Sequence, residues 1–449
     1  MRDTLKEIVQ QVVDRARRSG ATAADAFLRE DETFSVTVRL GEVEKLKEAV
    51  SRNLRLRIFL GKRTATSQTS DLSSDRVGML VDETLEMARL TSEDDSGGLP
   101  EKSSYPSEVP DLALADPAWD DLTPEQRIGL ARQAEASAFD MDPAITNSDG
   151  ASFEFERSRT ALANTLGFAG DYETTGGYIV ASPIAESNGA KQRSHWFSIA
   201  RHRDQLASPE EVGRRAAQRA LQCLGARKVK TCQVPVVFDP ITARTLVRHV
   251  FDAVSGDAIY RRRSFLGGKL GESVASQKVT IVDDARLIGG LGSSPFDDEG
   301  VETQATRIIE SGVLKNYLHS AYSARKLQAR PTGNGSRTGA GSVNVGPTNF
   351  YLTPGQHTAE EIIASVSSGL YVVELIGFGV NTVSGDYSRG VTGLWIENGK
   401  LAYPVQEVTI AGNLRQMLQD IEMIGNDIAF MGPLAAPTLK IRNMTLSGE

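Results

Sequence analysis

Two cysteines and five histidines in 449 residues leave little material for a thiolate or imidazole metal site. Cys223 and Cys232 are too few for a disulfide framework, and they suit a reducing compartment where buried thiols act as small hydrophobes. His195, His202, His249, His319 and His357 include no pair at the spacing of a helical metal site. Long apolar runs are missing too, since none approaches the ~18–20 residues of a membrane-spanning helix. Residues 1–20 place Leu5, Ile8, Val9, Val12, Val13 and Ala16 on one helical stripe, but their polar positions mix acids and bases, unlike a signal peptide. The cytoplasm is therefore the expected location. An excess of positive charge is also lacking: 50 basic against 58 acidic residues give a net charge of −8, with no general attraction to nucleic acid or anionic membranes.

What is present is the composition of a globular protein, 40% hydrophobic and 24% charged. The length exceeds one ordinary core, so two domains are expected, residues 1–225 and 226–449. Residues 92–111, with three prolines, a Gly-Gly pair and several serines, read as a linker or long surface loop. The basic stretch 226–230 marks the boundary.

Phe34, Val36, Val38 and Leu40 alternate with polar residues, as do Leu54, Leu56, Ile58 and Leu60, predicting two half-buried strands with a turn near Gly41 and Glu42. A helix is expected over 74–90. Thr123-Pro124-Glu125-Gln126 and Ser208-Pro209-Glu210-Glu211 read as capping boxes, the second opening a helix to about residue 224. Several short strands are expected over 144–200, and further strands over 234–238, 279–282 and 371–376. The best-punctuated helix spans 240–255. Asp239 can cap it, Pro240 suits its first turn and Gly256 follows it, while Ala243, Leu246, Val247, Val250, Phe251 and Val254 form one apolar stripe. Helices are also expected at 358–367 and 414–423. Helices and strands do not alternate regularly, so the fold class is α+β: curved antiparallel sheets flanked by helices, with a strand-rich C-terminal domain.

Residues able to carry chemistry are scattered. His249 stands beside Arg248, which can pair with Asp252 along the helix. Asp283-Asp284 and Asp297-Asp298-Glu299 offer carboxylates, but the second run sits among loop residues and reads as turn capping and solvation. The glycine-rich stretch 333–341 lacks the Gly-Lys-Ser/Thr ending of a phosphate loop and reads as a flexible loop. No serine has a nucleophile elbow.

Several motifs nevertheless occur together: Asn147-Ser148-Asp149-Gly150, Asp297-Asp298-Glu299-Gly300, Arg330-Pro331-Thr332-Gly333-Asn334-Gly335, Gly377-Phe378-Gly379-Val380-Asn381, Ser384-Gly385-Asp386-Tyr387-Ser388-Arg389-Gly390, Gly393-Leu394-Trp395-Ile396-Glu397-Asn398-Gly399, and Ile424-Gly425-Asn426-Asp427. Across essentially the whole chain this pattern resembles the metallopeptidase family of TldD and PmbA (also called TldE), and most closely the PmbA branch. In the zinc-bearing TldD branch the 240–255 helix carries a His-Glu-x-x-x-His motif, whose matching positions here are Val247, Arg248 and Asp252. Valine has no donor atom and arginine stays cationic, so neither can hold zinc. A cysteine that completes the metal site in that branch is also missing, because residues 428–436 contain none.

The resemblance implies no catalytic residue, metal or cofactor in this chain. It implies the metal-free subunit of a two-chain peptidase, paired with a TldD-like partner that carries the zinc and acting on small peptides and unfolded segments. Asn334, Asp386, Tyr387 and Arg389 are the candidate peptide or partner contacts. The isolated chain is expected to form a homodimer. Some family members are labelled modulators of DNA gyrase, but the charge balance offers no support for direct DNA binding. Two alternatives stay open: a homodimeric peptide-binding or chaperone-like protein, and a self-sufficient hydrolase using His249, Asp252 and the Asp297 cluster with an unrecognised metal.

Overall fold

The computed structural model describes residues 4–337 and 342–448. In the N-terminal half the chain runs α1 (Leu5–Arg18), β1 (Ala23–Arg39), β2 (Glu42–Leu60), β3 (Arg63–Thr69), α2 (Ser74–Leu90), α3 (Pro124–Phe139), β4 (Ile145–Asn164), β5 (Ala169–Ser187), β6 (Ala190–Arg193), β7 (Trp196–Ala200) and α4 (Pro209–Gln222). Among the described residues these strands form one antiparallel sheet of order β3-β2-β1-β4-β5, with β6 and β7 both pairing with β5. Strict alternation gives its two faces different chemistry. Ala24, Ala26, Leu28, Phe34, Val36 and Val38 of β1 are buried. The first three pack with α1 and α2, and the rest pack with α3, Trp119, Phe153 and Phe155. The opposite face carries Asp25, Arg29 and Asp31 of β1, opposite Asn164, Thr160 and Ser158 of β4. The N-terminal helices pack on the other face, and this polar face looks toward the C-terminal half.

The C-terminal half runs β8 (Cys232–Phe238), α5 (Pro240–Val254), α6 (Gly256–Tyr260), β9 (Ile281–Asp284), β10 (Ala305–Glu310), β11 (Val313–Leu314), α7 (Ala321–Leu327), β12 (Gly335–Arg337), β13 (Val343–Val345), β14 (Phe350–Leu352), α8 (Ala359–Ala364), β15 (Ser368–Val380), β16 (Asp386–Glu397), β17 (Lys400–Asn413), α9 (Leu414–Gln419), β18 (Ile421–Ile424), β19 (Leu434–Ala435) and β20 (Leu439–Ser447). The pairings β17-β16-β15-β8-β20 return to β17 and so close a five-stranded barrel, with β18 hydrogen-bonded to β20. A second sheet has the order β11-β10-β9-β14-β19, and β12 and β13 form a hairpin. Val236, Phe238, Leu370, Val372, Val391, Ile410 and Ile441 of the barrel share one core with the apolar stripe of α5 and with Phe350 of the second sheet. The architecture is α+β with curled antiparallel sheets, as the irregular element order predicts.

Several local expectations change. Residues 144–200 hold two long strands of 20 and 19 residues, followed by two short ones. Asn147, Asp149, Gly150, Asp171, Gly176 and Gly177, of the Gly, Asn and Asp residue types expected to make turns, lie inside these continuous strands. The helix expected over 414–423 stops at Gln419, and Ile421–Ile424 pairs with β20 instead. Ser208 accepts from the Glu211 amide without the return bond seen at α3, where Gln126 Oε1 accepts from the Thr123 amide. The irregular segment 92–111 lies against the C-terminal half as a strap. Arg325 donates to the carbonyls of Ser96 and Gly98, both at 3.0 Å, and Tyr322 Oη donates to Asp94 at 2.7 Å.

The largest correction concerns Asp297 and Glu299, which are buried, and Asp298, which is half-buried, where the composition of their loop predicts solvation. Arg57 donates Nε to Asp25 Oδ2 at 2.9 Å and Nη1 to Glu299 Oε1 at 3.1 Å, and Arg337 donates Nη2 to Asp25 Oδ1 at 2.6 Å. Asp25 and Arg337 side chains are 0% exposed. Burial opposes ionisation of Asp25, yet Arg337 and Arg57 outweigh it and hold the carboxyl below its ordinary value. Asp297, with burial and the neighbouring Glu299 both acting on it, is pushed well above the ordinary carboxyl range. The network ties β1 and β2 to the 297–299 turn and to β12.

Replacing Arg57 by methionine leaves Glu299 buried without its guanidinium, so a loss of about 3–5 kcal/mol is expected, read as a lower urea midpoint at unchanged m-value. The pH dependence has a defined sign. Asp25 is depressed in the fold, so its contribution is complete above the unfolded value of ~3.9 and is lost as pH falls through the lower folded value.

Candidate functional site

Helix α5 begins where Asp239 Oδ1 accepts from the Thr242 amide at 2.8 Å, while Arg219 holds Asp239 Oδ2 at 2.8 Å. Its stripe fixes the rotation of the helix, and Val247, 3% exposed, lies inside the core. The next turn shows Arg248 Nε donating to Asp252 Oδ1 at 2.9 Å, with both side chains partly exposed. These positions do not fit zinc: the first is apolar and packed, the second is cationic, and the third is occupied by that cation. Among the described residues no three His, Cys, Asp or Glu side chains converge as metal ligands. The cysteine-free connector 428–436 is tied down. Arg244 Nη1 donates to the Met431 carbonyl at 2.9 Å, Phe430 packs edge-on to Tyr351, and β19 adds in parallel to β14.

Beside this face of α5 stands β16. His249 meets Tyr387 edge-to-face with ring centroids 6.1 Å apart. His249 Nε2 and Tyr387 Oη are both buried without a hydrogen-bond partner. Burial, helped by Arg389 and Arg248, lowers the His249 imidazole to about 4, and burial raises the Tyr387 phenol. Asp386 is exposed; its carboxylate accepts from Ser384 Oγ at 2.6 Å and Asn413 Nδ2 at 3.3 Å, across the turn that Gly385 makes at φ 88°. Arg389 Nε donates to the Ile376 carbonyl at 3.3 Å. Along the same β15–β16 hairpin, Ile376 and Phe378 are exposed, Phe378 almost completely at 98%. Asn334 is away from the surface, its Nδ2 donating to Asp283 Oδ2 at 2.6 Å and to the Gly346 carbonyl at 3.1 Å. Of the four candidate contact residues, Asn334 and Tyr387 are therefore interior fixtures, and Asp386 and Arg389 remain accessible. In the glycine-rich stretch, Gly335–Arg337 is β12 and residues 338–341 lie outside the described residues. The Asp297 cluster belongs to the buried ionic junction and, among the described residues, makes no hydrogen bond or ion pair with His249 or Asp252.

The residue-level reading missed a cavity of about 540 Å³ on the polar face of the N-terminal sheet. Its floor is built from β1, β4 and β5 and the end of β7. Loop residues Leu291, Gly292, Ser293 and Ser294 close one side, and Gly432 and Pro433 of the connector close another. Asn349 fixes the loop, its Oδ1 accepting from the Gly292 amide and its Nδ2 donating to Ser293 Oγ, both at 2.8 Å. Arg29 is neutralised there by Asp31 and Glu156. Arg201 donates to the carbonyls of Thr175 at 3.1 Å and Leu291 at 2.7 Å, while its Nε is buried without a partner. Burial lowers its pKa. The signal lay in Glu154, Glu156, Ser158 and Thr160, whose period of two is visible only once residues 145–164 are read as one strand.

Sequence models of the PmbA/TldA metallopeptidase match in three consecutive parts: domain 1 over residues 24–88, the central domain over 117–224 and the C-terminal domain over 231–448. The metalloprotease PmbA of Escherichia coli O157:H7 is 34% identical over 449 residues, covering 100% of this chain and 97% of its own length. A crystal structure from Bacteroides thetaiotaomicron, described as a modulator of DNA gyrase, superimposes with a TM-score of 0.93 at 27% identity over 100% of both chains. TldE from Thermococcus kodakarensis shares the fold at a TM-score of 0.89 and 21% identity, over 98% of this chain and 100% of its own. The chain belongs to the PmbA/TldD metallopeptidase family, on its PmbA branch.

Proposed function

We propose that this chain is the metal-free subunit of a cytoplasmic two-chain zinc peptidase acting on small peptides and unfolded segments. The observation that carries the reading is the joint state of the ligand positions. Val247 belongs to the core, Arg248 and Asp252 neutralise each other, and the connector that carries a cysteine in the zinc branch is fastened to α5 without one. Separate parts of the chain have changed in the same direction, so no step of hydrolysis is assigned to these residues. The metal and the general base come from a TldD-like partner. This chain supplies wall, closure and contact surface, with Asp386, Arg389 and the exposed edge at Ile376 and Phe378 as the contact region. A strand edge with exposed apolar side chains suits an extended peptide or a partner segment.

The isolated chain, purified without chelators, is expected to hold far less than one zinc per chain and to cleave no peptide. Mixing it with the His-Glu-x-x-x-His subunit from the same organism is expected to give a stable complex with peptidase activity. Stoichiometric zinc and turnover from the isolated chain would overturn the reading, and self-association with no binding to that subunit would favour a homodimeric binding protein.

The self-sufficient hydrolase makes a different demand on His249, which would have to titrate near neutrality. In the fold it lies at about 4, below its ordinary 6.5. Its ring-proton NMR resonances, assigned by loss in His249→Gln, should stay those of neutral imidazole from pH 8 down to roughly 5. Because the folded value is depressed, the stability it contributes is present above 6.5 and declines as pH falls toward about 4.

A further inference from the structure

We propose that the cavity on the polar face of the N-terminal sheet binds a short free peptide as a zwitterion, its α-carboxylate on Arg201 and its ammonium toward Glu154. This inference rests on the peptide-processing role above and assigns a peptide site to this chain's own N-terminal sheet. Arg201 is the group that requires an anion. Its guanidinium is partly buried with Nε out of water and unpartnered, two of its hydrogens reach only neutral carbonyls, and no carboxylate among the described residues lies within ion-pair distance. Arginine presents a planar fork that matches a carboxylate. Glu154 lines the same cavity, is exposed and makes no ion pair among the described residues.

The register sets their separation. Glu154 stands opposite Tyr178, Tyr178 stands opposite Ile199, and Arg201 follows two residues on. Two strand spacings and one two-residue step place the Cα atoms roughly 12 Å apart. With side-chain reach from both ends, that gap suits a dipeptide or tripeptide, and about 540 Å³ accommodates one. Tyr172 and Tyr178 flank the space. Gly176, between them on the same face, contributes no side chain, and an added Cβ there would meet only the Ala200 carbonyl at 3.5 Å. The floor is therefore open because of the residue chosen and not because of steric need. Gly177 contrasts with it, since a Cβ there would fall 2.0 Å from the Trp119 ring.

The test is calorimetric titration of the isolated full-length chain with trialanine, its C-terminal amide and its N-acetyl derivative. Trialanine is expected to bind, and blocking either end should weaken binding at least tenfold. Arg201→Gln should weaken trialanine at least tenfold and leave the amide unchanged. Gly176→Leu fills the floor on an unstrained strand and should abolish binding while keeping the wild-type urea midpoint, which guards against misfolding of the arginine variant. Equal affinity for acid and amide, no binding of trialanine at millimolar concentration, or unaltered binding by Gly176→Leu would each overturn the proposal. Indifference to N-acetylation would remove the role of Glu154. No partner is present in this measurement, so a negative result leaves the pairing with a zinc-bearing subunit standing, and a failure of that pairing leaves the binding result standing.

Discussion

Arg57 and Arg337 are the two cations that let the halves of this molecule share an interior. Each is buried against Asp25, and Arg57 also holds Glu299, whose second oxygen caps α7 by accepting from the Ala321 amide at 2.8 Å. Desolvating these charges is expensive, and replacing such a network by apolar groups often costs nothing in stability. Its physical return is specificity of position. An apolar patch would let the polar sheet face slide on the C-terminal loops, whereas guanidinium forks accept one arrangement. The turn at 297–299 fixed in this way follows the 291–294 loop that borders the cavity over β4 and β5.

Helix α5 is held in place by its apolar stripe. A histidine at position 247 would have to aim an imidazole out of a stripe that is packed between the barrel and the second sheet. With valine, that position adds about 1.5–3 kcal/mol of burial instead. Arg248 and Asp252 then satisfy each other at the rim, an exposed pair that contributes little to stability but leaves no naked charge beside Phe251. The helix keeps its cap, its length and its place, and its exposed face becomes surface.

The parts legible in the sequence are those decided locally. Asp239, Pro240 and the α5 stripe predict the helix to within a residue of its observed end, and Ser74–Leu90 is read with its observed bounds. What escapes is decided by distant partners. Asp297 and Glu299 have the local composition of a solvated turn, and their burial depends on arginines about as far off as the 242 residues between Arg57 and Glu299. Asn334 sits in a glycine-rich motif that invites a surface role, yet Asp283 draws it inward. The polar alternation of β4 looks like turn chemistry until the long antiparallel register with β5 assigns it to one face.

The connector 428–436 joins the two functional conclusions. A segment that gave a thiolate to a metal beside α5 would need a loop free to reach it. Here its carbonyl at Met431 is spent on Arg244, its ring at Phe430 on Tyr351, and its end on the pairing of Leu434 with Phe350. Gly432 turns the chain at φ 131°, a conformation open to glycine and strained for cysteine. That turn carries Gly432 and Pro433 against the cavity beside Leu291 to form its second wall. The same short segment thus cannot serve the metal and does enclose the polar face. The hydrogen bond at Met431, the ring contact at Phe430 and the cavity wall at Gly432 and Pro433 are then consequences of one chain path.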